Sequence, residues 1–127
     1  MSDANPVTIE LLDAIQDAFN RRDVDAILSY FVDDCEWLMA RGPAPREGRR
    51  ARGKAEIGQI LSERFERIPD MRWVDMRHWI MGEKALSEWV VQGTSVDGER
   101  LDFLGCDLWE FRGVKVVKKD TYWKYVE

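Results

Sequence analysis

The hydrophobic period of this chain changes once, near Pro69, and that change excludes most architectures. Upstream, from Thr8 to Arg22, apolar residues fall at Ile9, Leu12, Ile15 and Phe19, the three-four spacing of an amphipathic helix. Thr8 or Asn5-Pro6 can start it, by a capping oxygen or a pre-set φ. A second short helix is expected after Asp23, burying Ala26, Ile27, Tyr30 and Phe31 and stopped by Asp33-Asp34. Cys35 to Met39 reads as a strand, and a third helix runs from about Lys54 to Arg67 on Ile57, Ile60, Leu61, Phe65 and Ile68.

Downstream of Pro69 the period is two. Strands are predicted over Arg72–Met81, Ala85–Thr94, Leu101–Phe111 and Val114–Tyr125, separated by turns at Gly82-Glu83, Asp97-Gly98 and Arg112-Gly113-Val114. The expected fold is α+β: three N-terminal helices on one face of a strongly curved, mainly antiparallel sheet, enclosing a pocket. A length of 127 residues fits a single domain, 1–127, able to bury a real core. A second, irregular feature is the Pro- and Gly-containing stretch Arg41–Gly53, which holds five arginines. It reads as a loop without regular structure, either solvated or serving as a lid or to steer an anion at a pocket rim.

Strand alternation then selects candidate site residues. Phe103, Gly105, Asp107, Trp109 and Phe111 share one face, so a carboxylate stands in a row of aromatics. Burying it unpaired is costly, so such a residue is either paired or kept protonated. If Trp123 points inward, Thr121, Lys119 and Val117 follow, bringing Lys119 beside Asp107 as salt-bridge partner or as the group that sets its basicity. Ser87, Trp89 and Val91 form one face of the preceding strand and Glu88 the other, unless a bulge reverses them. His78, the sole histidine, is the remaining proton carrier near neutral pH, or else a strand residue bonding its surroundings.

Composition narrows the partners. A net charge of −5 argues against nucleic acid, no apolar run could span a bilayer, and Met1 to Pro6 lacks a charged-then-apolar signal. Cys35 and Cys106 have neither metal nor redox spacing and read as small core residues in a reduced, cytoplasmic protein. One histidine with scattered acids gives no metal site, and the absence of a Gly-rich phosphate loop implies no nucleotide cofactor.

This order of elements resembles the nuclear transport factor 2-like superfamily, or cystatin-like cone, and within it the SnoaL-like polyketide cyclases and ketosteroid isomerases. The similarity lies in Phe31–Trp37 after the second helix, Gly53–Ile57 opening the third, and Gly105–Phe111 with the Val116–Trp123 strand. The resemblance implies a cone that binds a small, largely apolar molecule, and dimerisation through the sheet. It places Asp107 at the family's acid–base aspartate, in the Asp-x-x-x-Phe pattern of Asp107–Phe111, where an apolar site can hold a carboxylic acid protonated. It puts Met39 where the isomerases carry their general base, and Ile15 near their helix tyrosine, so the steroid-isomerase mechanism does not transfer. Trp89 and Val91 replace the Arg and Asp of limonene epoxide hydrolase.

The expectation is a cofactor-independent acid–base enzyme of isomerase, cyclase or dehydratase type, using Asp107 with His78 or Lys119. Met39, Trp89, Phe103, Trp109, Thr121, Trp123 and Arg41 are the expected ligand contacts, with Asp107, Trp109, Trp123 and Met39 lining one cavity. The alternative is a non-catalytic ligand-binding or dimerisation module of the same fold. The outer sheet face, with Leu86, Val90, Leu104, Cys106, Leu108 and Tyr122, is too apolar for solvent and predicts a back-to-back homodimer, with Glu88 or Asp120 pairing with Lys118 or Arg77.

Overall fold

A computed structural model describes residues 5–125; residues 1–4, read above for a leader, lie outside them. Helix α1 spans Ile9–Asn20, and Thr8 caps it by accepting a hydrogen bond from the Leu11 amide at 3.1 Å. Its buried side carries Leu12, Ile15, Ala18 and Phe19, while Ile9, expected in that stripe, is largely exposed on the first turn. Helix α2, Val24–Ser29, is capped by Asp23 and ends earlier than its periodicity suggests, because Phe31 already belongs to a strand.

Strand β1 runs Phe31–Ala44 and pairs with β2, Gly48–Arg52. The arginine-rich stretch is thus a hairpin rather than the structureless loop expected from its Pro and Gly content. Its pairing is interrupted between Met39 and Ala44, so Pro43 sits where no ladder hydrogen bond is required, on the last hairpin of the sheet. Helix α3, Gly53–Arg67, follows and packs on β1.

The remaining strands are β3 (Arg72–Met81), β4 (Lys84–Thr94), β5 (Arg100–Arg112) and β6 (Lys115–Trp123). The sheet order is β2-β1-β6-β5-β4-β3, antiparallel throughout except for the parallel β1–β6 pair. Three helices on a curved, unclosed six-stranded sheet make the expected cone. No helix among the described residues is long and apolar enough to cross a membrane.

Two bulges decide which side chains enter the cone. In β3 the register slips between Val74 and Arg77, with Asp75 at φ 55°. Trp73 faces inward before the slip, whereas Met76, His78 and Ile80 turn toward the core after it and Trp79 is left half exposed. In β6 the register slips opposite Glu110 and Phe111, so Val116 rather than the expected Val117 is fully buried, while Lys119 and Thr121 keep their inward places. Strand β4 has no slip, and Ser87, Trp89 and Val91 face inward as predicted. Of the two thiols, Cys35 is a core residue, but Cys106 lies half-buried on the opposite face of β5 from Asp107. Burial pushes both thiols up, as expected of unreactive cysteines.

Candidate active site

Asp107 lies in mid-β5, paired across the sheet with Ser87 of β4 and Thr121 of β6, and is 1% exposed. Three donors hold its carboxylate. Oδ1 accepts from Lys119 Nζ at 2.8 Å and from the Thr121 hydroxyl at 2.6 Å, and Oδ2 accepts from Trp89 Nε1 at 2.9 Å. Gly105 makes the last contact possible. A Cβ there would stand 2.8 Å from the Trp89 ring and 2.5 Å from the Tyr122 carbonyl oxygen, so only glycine lets the indole lie across β5. Thr121 is fully used, donating to Asp107 and accepting from Trp37 Nε1 at 3.1 Å and from Lys119 at 3.0 Å.

Lys119 is 4% exposed. Beyond its two oxygen partners, the ammonium meets the π-faces of Trp37, Phe19 and Trp109, 4.9, 5.3 and 5.6 Å from their centroids. Burial pushes the Lys119 pKa down, and the Asp107 charge pulls it partly back. The cost of a charge in this interior brings the neutral Lys119 amine closer in energy to its ammonium form than it would be in water.

The cavity above this cluster has a volume of about 10 Å³, room for one water. Its wall includes Phe19, Trp37, Trp73, Trp89, Lys119 and Thr121. Trp73 is fixed there by Asn20 at the end of α1, which donates to its carbonyl at 3.1 Å and accepts from its amide at 2.8 Å. A vestibule of about 460 Å³ lies outside, sharing Arg64, Met71 and Trp123 with the inner cavity.

The structure therefore brings Asp107, Lys119, Thr121 and Trp89 together and sets Trp123 at the cavity wall. Other expected residues take different places. Asp107 stands behind Lys119 and Thr121 rather than on the wall itself. Trp109 packs beneath Lys119 and donates to Ser87 at 2.9 Å, and so is not a wall residue as expected. Met39 lies outside the inner cavity, with its Sδ 3.9 Å from Arg64 Nη2, because β1 carries it past Trp37 toward the hairpin groove. Phe103 stacks on Trp123 at 5.0 Å and supports it from behind. Arg41 reaches the vestibule, with Tyr125 OH at 3.0 Å and Glu99 at 4.0 Å.

His78 is not part of the cluster. The β3 bulge turns it beneath α1, where Nε2 lies 2.9 Å from Asp13 Oδ1 and Nδ1 lies 2.7 Å from Ser87 Oγ. Asp13, His78 and Ser87 have the distances of a nucleophilic triad, but the Ser87 hydroxyl is fully buried and also accepts from Trp109, so no carbonyl could reach it. Nε2 ties α1 to the sheet and Nδ1 ties β3 to β4, so both ring nitrogens are occupied.

Sequence reasoning missed Arg64, Trp37 and Trp73 as wall residues. Arg64 carried a signal, since 57, 61, 64 and 68 mark one stripe of a helix and an arginine there must face what the apolar residues face.

Residues 12–119 match the family model described as the SnoaL-like domain. The chain belongs to the SnoaL-like domain family. Solved structures agree in fold. A Xanthomonas campestris pv. campestris protein named as a polyketide cyclase is 21% identical, with a TM-score of 0.78 over 91% of this chain and 88% of that one. A cystatin-fold protein from Novosphingobium aromaticivorans is 28% identical, with a TM-score of 0.72 over 88% and 94%. A Catenulispora acidiphila protein of ketosteroid isomerase-like fold, solved with trimethylamine, is 16% identical, with a TM-score of 0.77 over 91% and 86%. No curated protein sequence matches the chain.

Proposed function

We propose that this SnoaL-like protein is a cofactor-independent acid–base enzyme of isomerase, cyclase or dehydratase type, acting on a small, largely apolar molecule bound in the cone. The observation that carries this reading is the Asp107–Lys119 pair, 2.8 Å apart beneath an aromatic cavity, with the lysine pKa lowered by burial. Lys119 is the group at the wall, so it exchanges the proton with the substrate. Asp107 takes up or supplies the matching proton from behind, and Thr121 and Trp89 hold the carboxylate in line. The aromatic wall excludes water, which strengthens every charge interaction formed there. A substrate must open the one-water cavity by moving the shared Arg64–Met71–Trp123 wall.

A second reading, a binding module, is favoured by the apolar Met39 at the position of the isomerase base and by the small size of the inner cavity. Solvent-deuterium incorporation into a panel of enolisable ring ketones, followed by NMR, separates the two. The enzyme reading expects exchange that falls about 10²–10⁴-fold in both Asp107→Asn and Lys119→Met. Exchange equal to wild type in both variants refutes the assigned pair, and saturable binding without exchange favours the module.

A further inference from the structure

Arg64 is a cation without a counter-charge among the described residues. It projects from the buried stripe of α3 into the wall between the inner cavity and the vestibule. Its guanidinium lies 4.9 Å over the Trp37 ring and 3.9 Å from the Met39 sulfur. Among the described residues no carboxylate lies within 4.0 Å of it. Desolvation and the nearby charge of Arg49 bring its pKa down to about 10. Two cations thus face each other across a cleft, Arg49 likewise having no ion-pair partner among the described residues.

The vestibule's own acids do not resolve this. Glu99 is taken by Arg67 at 3.3 Å and Arg41 at 4.0 Å, and Glu63 accepts from Gln59 at 3.3 Å on the same helix. Four arginines against two glutamates leave the vestibule positive. Trp123 lines the same wall, and its buried indole Nε1 has no acceptor among the described residues. An unsatisfied buried N–H and an unpaired, half-buried guanidinium lying over an aromatic ring both cost free energy that an oxygen anion would recover.

We propose that Arg64, with Arg49 and the Trp123 indole N–H, binds the carboxylate of a small ring acid at the mouth of the cone. The apolar body of the ligand lies against Ile60, Ile68, Met71 and Leu101, a surface that inorganic phosphate could not use. The planar guanidinium receives the carboxylate through two parallel hydrogen bonds while remaining stacked on Trp37. This inference rests on the cone being the substrate site and names the substrate class, a ring compound bearing one anionic group.

The test is calorimetric titration of the full chain with benzoate, its neutral analogue benzamide, and inorganic phosphate. Wild type is expected to bind benzoate at least about tenfold more tightly than benzamide, a difference of about 1.4 kcal/mol. Arg64→Met is expected to abolish that preference and Arg64→Lys to keep part of it, with circular dichroism verifying that both variants fold. Asp107→Asn is expected to keep the preference, so loss of turnover in that variant and loss of anion binding in Arg64→Met report separate failures. In proton–nitrogen spectra the Trp123 indole signal, assigned by Trp123→Phe, is expected to move on adding benzoate and not benzamide. Equal affinities, a preference surviving in Arg64→Met, no saturable benzoate binding, or displacement of benzoate by equimolar phosphate would each overturn the proposal.

Discussion

Replacing Lys119 by Met tests the energetics on which the site depends. The side chains of Lys119 and Asp107 are only 6% and 2% exposed, so water cannot replace a lost partner. At 2.8 Å, with an effective dielectric of about 20, their mutual attraction is about 6 kcal/mol. Most of that offsets the desolvation of the two charges, so the pair adds little net stability while either half alone is costly. Lys119→Met leaves the Asp107 charge with only Thr121 and Trp89, and the expected loss is about 3–5 kcal/mol. That is a large share of the roughly 5–15 kcal/mol of a typical domain, and for this length it lowers Tm by about 10–20 °C.

Urea unfolding followed by tryptophan fluorescence gives the number, and the Asp107→Asn/Lys119→Met double variant should recover about 2–4 kcal/mol of the loss seen in Lys119→Met alone. A pH signature accompanies it. Folded Lys119 holds its proton less tightly than the unfolded side chain, whose pKa is near 10.5. Between the folded value and 10.5 the unfolded chain binds more protons, so wild-type stability gains from rising pH there and Lys119→Met lacks that gain. The difference between the two proteins cancels other alkaline titrations, such as that of Tyr122, whose pKa is raised by Asp120. A single variant within about 1 kcal/mol of wild type, with no difference in pH slope, would refute a buried, coupled pair.

Gly105→Ala pushes a methyl into the Trp89 ring and the Tyr122 carbonyl, so a stability loss of about 1–3 kcal/mol is expected, with exchange activity falling as the Trp89–Asp107 hydrogen bond shifts. An alanine variant with wild-type Tm and activity would show that β5 has room to spare. For assembly, the outer face carries the exposed Leu104 and Tyr122 beside the half-buried Leu86, Val90, Cys106 and Leu108, and we expect a two-fold homodimer there. Light scattering at micromolar concentration should give a dimer mass for wild type and a monomer mass for Leu108→Lys; a monomeric wild type overturns it.

Much of the cone was legible because period is a local property. The stripe on α1, the alternation on β4 and β5, and turns such as Gly113 at φ 62° are each written within a few residues. The placement of Asp107 among aromatics, and of Lys119 and Thr121 on the adjoining strand, followed from that alternation and held in the structure. The Arg41–Gly53 hairpin was not legible, because its pairing comes from β1 and its Pro43 falls at an interruption of the ladder that no local rule locates.

The sequence by itself determined the helix-then-meander order and the inward carboxylate, since side-chain direction along an uninterrupted strand follows from counting residues, and it gave the inward lysine on condition that Trp123 points inward. Tertiary structure decided what counting cannot reach. The slip at Asp75 sent His78 to Asp13 and Ser87, away from Asp107. The packing of α3 on β1 brought Arg64 over Trp37 and left it without a carboxylate partner among the described residues. A bulge and a helix crossing are settled by competition for the whole core, and each moves a side chain by more than the reach of a hydrogen bond.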